Sequence, residues 1–382
     1  MPRLRLVNEE TQPVTGDVCA LSQSGAESVC RGEQLTMGRG PGRILTISAA
    51  SVILLAPLVV SARSIAARPG GANVYTLTPS TNGMQLRTPD QRVVFEYLTS
   101  KPAGSALTSP SAACFHPVNT PSGERLTALA PDDHPHHRGM YLAWHDAEFR
   151  QPIPPPKTPT GSLFGWNITK ADFWGWGQYA PREGRVIQNR TIALTAADAT
   201  AADIEIHNDW NVGTDRPRKM LDETTVVHAT ERQGVYVLDL TFRLDALVDY
   251  QINRQSFSGF NLQARKDGAS KYTNAAGTVP YPDPHYSVPE LNWPPAPWYG
   301  YVITLGDGHT IGAAVVDHPN NPPTTWHNSR SLWMLNPNIA AIQPVTIRVG
   351  APLTLRYRVV VHDGDTPTPI VQKLADEWRA TK

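Results

Sequence analysis

Cysteine is scarce, at three in 382 residues. If translation starts at Met37, Cys19 and Cys30 are lost and Cys114 stands alone. A lone thiol makes no intramolecular disulfide, so the fold must be held by its core. Net charge is missing as well, because 34 Lys and Arg balance 34 Asp and Glu. That argues against nucleic acid as a partner, since a polyanion calls for a basic field. There is no internal repeat. Regular helical patterning is nearly absent too: 35 prolines and 28 glycines interrupt roughly one position in six. Such punctuation disfavours a helical bundle or coiled coil and favours short strands joined by turns.

Long apolar runs are limited to one. Residues Ile44 to Val60 carry no charge, Arg39 and Arg43 precede them, and small residues follow, spaced for signal peptidase around Ala62 or Ala66. The pattern predicts an export signal over residues 37–67 and a periplasmic or extracellular protein. A single-pass anchor through residues 44–60 is the rival reading; it is disfavoured by Pro57 and by a length at the low edge of the roughly 17–25 residues that span a bilayer. Membrane contact is expected only through that segment. Residues 1–36 read as an upstream extension or disordered tail.

The remainder alternates apolar and polar residues in short runs: Arg92–Leu98, Thr191–Leu194, Ile204–Val212, Thr224–His228, Val235–Leu244, Tyr301–Leu305, Ile311–Val316, Thr346–Val349 and Leu353–His362. Period-two alternation predicts strands with one buried face and one wet or functional face. In Val235–Leu247, Tyr236, Leu238, Leu240, Phe242, Leu244 and Ala246 are assigned to the core, and Val235, Val237 and Asp239 to the other face. Asp307-Gly308 and Asp363-Gly364 mark turns. Only Thr368–Ala380 carries a helical stripe, through Val371, Leu374, Ala375 and Trp378, with Thr366-Pro367 setting its start. Gln151–Pro159 and Val279–Pro297 read as long Pro-rich surface loops. The fold class is therefore all-β: one large antiparallel sandwich over residues 72–382 with a short C-terminal helix.

All twelve histidines lie between His116 and His362. Asp132-Asp133-His134-Pro135-His136-His137-Arg138-Gly139 is the densest knot; in an extended segment His134 and His136 share one side and His137 the other, so two imidazoles could converge on a metal ion or a substrate hydroxyl. Asp317-His318 follows a buried-looking strand and opens a Pro/Asn turn, with Trp326, Arg330 and Asn336 beyond it. In Asp172-Phe173-Trp174-Gly175-Trp176-Gly177, rings interleave with small residues, which suits either a core or stacking on a sugar.

These segments, with Phe115-His116-Pro117-Val118-Asn119 before them and Leu355-Arg356-Tyr357-Arg358 after, resemble the bacterial PmoA-like family, catalogued as methane oxygenases. The likeness covers about residues 72–380. It implies an exported sandwich similar to the galactose mutarotase-like supersandwich, of a kind found near sugar-processing enzymes. Particulate methane monooxygenase itself is an integral membrane copper enzyme, and one membrane-length segment does not make that architecture. Where the family carries a Lys-Glu pair before a Gly-Leu-Arg core, this chain has Arg254-Gln255-Ser256.

Three function classes follow. The first is a carbohydrate-active hydrolase, lyase or epimerase acting on a small sugar or an oligosaccharide. There His136 or His318 moves the proton, Asp317 or Asp133 orients it, Arg138 and Arg330 hold hydroxyls or a carboxylate, Trp174 or Trp326 stacks on the ring, and Asn336 and His116 complete the contacts. The second is the oxygenase named by the family label, with a divalent transition metal on His134, His136 and His137, or on His116. The third is a non-catalytic sugar-binding protein.

Overall fold

The computed structural model describes residues 73–153 and 165–381. The export signal or anchor, the proposed start at Met37 and most of the first Pro-rich loop lie outside the described residues.

Two large antiparallel sheets face each other. One has seven strands, in the order Thr76–Pro79, Gly83–Arg87, Val93–Leu98, Cys114–Val118, Met140–Ala143, Gly259–Gln263 and Met334–Leu335. The other has nine, in the order Gly277–Thr278, Gly268–Asn274, Trp298–Leu305, Thr310–Asp317, Leu353–Asp363, Val235–Ala246, Arg218–Arg232, Ala201–Val212 and Arg185–Ala197. Their inner faces meet in one apolar core, in which Phe260 of the first sheet stacks on Tyr357 of the second with ring centroids 4.4 Å apart. Tyr97 and Asn208 add a buried hydrogen bond across the gap. Cys114 is a free, fully buried thiol in this core.

The alternation in the sequence supplies this geometry. Tyr236, Leu238, Leu240, Phe242, Leu244 and Ala246 all enter the core, as the period-two pattern requires. The opposite face of the same strand is not simply wet. Val235 and Val237 are buried in a second cluster against the helix Thr368–Arg379, whose buried residues are Val371, Leu374, Ala375 and Trp378. Under the helix Arg358 makes a two-pronged pair with Asp239, at 2.5 and 2.7 Å.

Val345–Ile347, Asp249–Ile252, Ala147–Pro152 and Trp166–Ala171 form a smaller antiparallel sheet, and Thr325–Trp326 pairs with Pro337–Asn338. Loops from the seven-stranded side, together with the Pro-rich loop 279–297, gather at one place.

Candidate functional site: a histidine-lined cleft

The segment Asp132–Arg138 is not extended. The His134 N–H donates to Pro131 O and the His137 N–H to His134 O, both at 2.9 Å, so consecutive turns replace the expected strand. Period two no longer applies, and the three imidazoles crowd together, with ring centroids 4.6 Å apart for His136–His137, 5.0 Å for His134–His137 and 5.6 Å for His134–His136. They form one wall of a cleft of about 400 Å³. The other walls are Trp176 and Gln178, Phe257, the Pro284-His285-Tyr286 segment, and His327 with Ser329, Ser331 and Met334.

Two of these imidazoles have their protons placed. His137 Nδ1 lies 2.7 Å from Gln263 Oε1, and Gln263 Nε2 is already committed to the carbonyls of Ala264 and Leu332. His327 Nδ1 lies 2.9 Å from Asn292 Oδ1, and Asn292 Nδ2 donates to Ser256 O and Thr325 Oγ1. Each amide oxygen can only accept, so both histidines carry the proton on Nδ1 and keep Nε2 as a lone-pair acceptor. Burial pushes the His327 imidazolium down to about 3 and that of His137 well below its usual value. Burial, then the neighbouring His134 and Arg138, lowers His136 to about 3. Neither ring nitrogen of His136 has a hydrogen-bond partner among the described residues.

The aromatic wall is built by backbone devices. Asp172 is buried and accepts hydrogen bonds from the Gly175 and Gly177 N–H groups, both residues with positive φ, and so holds the loop that delivers Trp176. Burial raises the Asp172 carboxyl to about 6. Phe257 precedes Ser258 (φ 105°) and Gly259 (φ 91°), a left-handed stretch clamped by Asn336, whose side chain bonds the Ser258 N–H and the Phe260 carbonyl. Phe257 stacks on His145 at 4.3 Å and lies 5.1 Å from Trp176.

Several expected roles change. Arg138 is fully buried and donates to Ser109 Oγ and to the carbonyls of Phe173 and Trp174 at 2.8–3.0 Å, so it ties down the Trp176 loop and is not available to a substrate. Arg330 donates to the Tyr281 and Val279 carbonyls and faces Asp283, docking the Pro-rich loop over the cleft. Trp174 and Trp326 are fully buried in the core, so the cleft tryptophan is Trp176. Asn336 is the clamp described above. His116 bonds Thr127 Oγ1 at 3.0 Å and does not line the cleft. Asp133 pairs with Lys266 and sits 3.2 Å from His134 Nδ1, at the margin.

Asp317 and His318 belong to a different cavity, of about 350 Å³, which shares no lining residue with the histidine cleft. Asp317 Oδ1 accepts from Asn321 Nδ2 at 2.7 Å, while its carbonyl accepts from Arg379 Nη1. His318 packs edge-on against Trp378 and contacts Thr381, so this pair anchors the end of the helix.

Nor do His134, His136 and His137 make a metal centre. Among the described residues no three His, Cys, Asp or Glu side chains are placed to hold one ion. His327, His285, Phe257 and Tyr286 were not legible as site residues: each looks like an ordinary loop residue until the fold closes the cleft.

No curated protein matches the sequence. Among solved structures the chain is similar to the GH36 α-galactosidase AgaA from Geobacillus stearothermophilus, at 8% identity and TM-score 0.29, over 77% of this chain and 40% of that one. It is also similar to a protein designated an aldose 1-epimerase from Klebsiella pneumoniae subsp. pneumoniae, at 11% identity and TM-score 0.30, over 78% and 80% of the two chains. The chain spans well under half the length of the galactosidase. A family model covers nearly all of the sandwich, matching residues 86–376, and the chain belongs to that family, the family of unknown function DUF6807.

Proposed function

We propose that the histidine cleft binds a neutral sugar and that one unprotonated imidazole takes a proton from it as a ring or glycosidic C–O bond breaks, with water protonating the departing oxygen, making the protein a carbohydrate-active enzyme of the epimerase or lyase type. The observation that carries this reading is the pair of amide-anchored tautomers: His137 and His327 each offer a free Nε2 lone pair beside an aromatic wall of Trp176, Phe257 and Tyr286. Sugars present hydroxyl donors at their edges and apolar C–H faces to rings, which is what such a wall accepts. Among the described residues no Asp or Glu lines the cleft. Glycoside hydrolysis by paired carboxylates therefore has no support here, whereas proton transfer to imidazole does. His327 is the base in this reading, with His136 the nearest alternative. Export through residues 37–67 belongs with it, and N-terminal sequencing of the secreted protein checks for cleavage after Ala62 or Ala66.

The test uses the purified chain with glucose, galactose and their common disaccharides, following thermal stabilisation, anomer interconversion by polarimetry and solvent-deuterium incorporation by NMR. Stabilisation with turnover that His327→Gln removes, at unchanged melting temperature, supports the reading. No stabilisation by any sugar sinks it.

A further inference from the structure

A second, smaller cleft of about 200 Å³ adjoins the first, and Tyr286 lines both. Its other walls include His145, Asp146, Tyr179, Arg254 and Gln255. Resting on the sugar reading above, we propose that this cleft is a second subsite for the next ring of a neutral oligosaccharide.

Four observations converge on it. Ser256 Oγ and His145 Nδ1 both belong to residues lining this cleft, are buried, and have no hydrogen-bond partner. Buried polar atoms left so are costly, and a hydroxyl-bearing ligand would satisfy them. Arg254 donates through Nε to Ala341 O at 3.0 Å and pairs with Glu290, which leaves Nη1 without a partner among the described residues. Its charge is thus already balanced, and Asp146 adds a negative group, so the site suits a neutral ring better than a uronate. Finally, Tyr179 and Tyr286 are 50% and 54% exposed, so both rings present surface on which a sugar can stack. His145, stacked on Phe257, forms the partition between the two clefts. A ligand running past Tyr286 would touch both sides of it.

The experiment measures affinity by calorimetry for glucose, galactose, cellobiose, maltose and lactose on the wild-type chain and on Arg254→Ala and Tyr179→Ala. Both side chains are about half exposed, and thermal melts confirm that the variants fold. The expected result is at least one disaccharide bound about tenfold tighter than its monosaccharide, with that ratio falling to about one in both variants. A monosaccharide that binds with no gain from a second ring overturns the subsite and leaves the first reading standing. The same follows if the gain persists in both variants. Failure of all five sugars to bind overturns both.

Discussion

At neutral pH His136, His137 and His327 are uncharged, because burial removes the water that would stabilise the imidazolium. His327 is the clearest case: only 3% exposed, anchored by Asn292, and depressed to about 3. Nitrogen-15 NMR at pH 7 should find His137 and His327 as Nδ1–H tautomers, and titration should leave His327 uncharged down to about pH 4. A midpoint near 6.5 would rule this geometry out. Arg138 gives a second prediction. Arg138→Met leaves the Phe173 and Trp174 carbonyls without their charged donor, and the expected loss is about 3 kcal/mol in urea denaturation. Sugar stabilisation should fall with it, since the Trp176 loop is released. The histidine knot was legible at this scale because residue types announce chemistry. The roles of Arg138 and Trp174 were not, because a guanidinium or indole reads identically in sequence whether it faces a ligand or a carbonyl in the core.

Among the elements, the longer strands were readable, the fully buried Ile311–Val316 included, and several short buried ones were missed. Met140–Ala143 and Gly259–Gln263 are buried at every position, and Cys114–Val118 contains Pro117, so none shows the period-two signature of a half-wet strand. These three sit in the middle of the seven-stranded sheet and carry the site loops. The helix was readable down to its four buried residues, but not its partner: it covers the outer face of the nine-stranded sheet, burying Val235, Val237 and Val360. Trp378→Ala should therefore cost about 3–5 kcal/mol. It should also release His318, which leans on that ring. Sugar binding should be unaffected, because this anchor and the cleft share no residue. A loss of binding at full stability would show the two cavities to be coupled.

Over the whole molecule, buried titratable groups set the pH range of the fold. His136, His145 and His327 are held at about 3, and His116 and His362 at about 4, by burial, against 6.5 when unfolded. Below pH 6.5 the unfolded chain gains these protons and the native chain does not, so stability falls as pH falls. Asp172 and Asp317, raised to about 6 by burial, act the other way, since between about 6 and 3.8 it is the native state that holds the extra protons. The lowered histidines, with His137 and His318 among them, outnumber the raised carboxyls Asp172, Asp317 and Glu223, so the net effect near pH 5 is a loss of stability as pH falls. Denaturation midpoints at pH 7, 6 and 5 should drop steeply, and a flat profile would contradict the buried neutral imidazoles. Composition and alternation were enough to establish an all-β chain with a terminal helix, an uncharged surface balance and a concentration of imidazoles, because each of these depends on local spacing or on simple counts. Which histidines meet, which arginine is spent on carbonyls, and that Asp317 and His318 belong with the helix were decided only by the tertiary structure. Those facts depend on strand order and on loops joining residues more than a hundred positions apart, such as His137 and Gln263, and no local period encodes such a meeting.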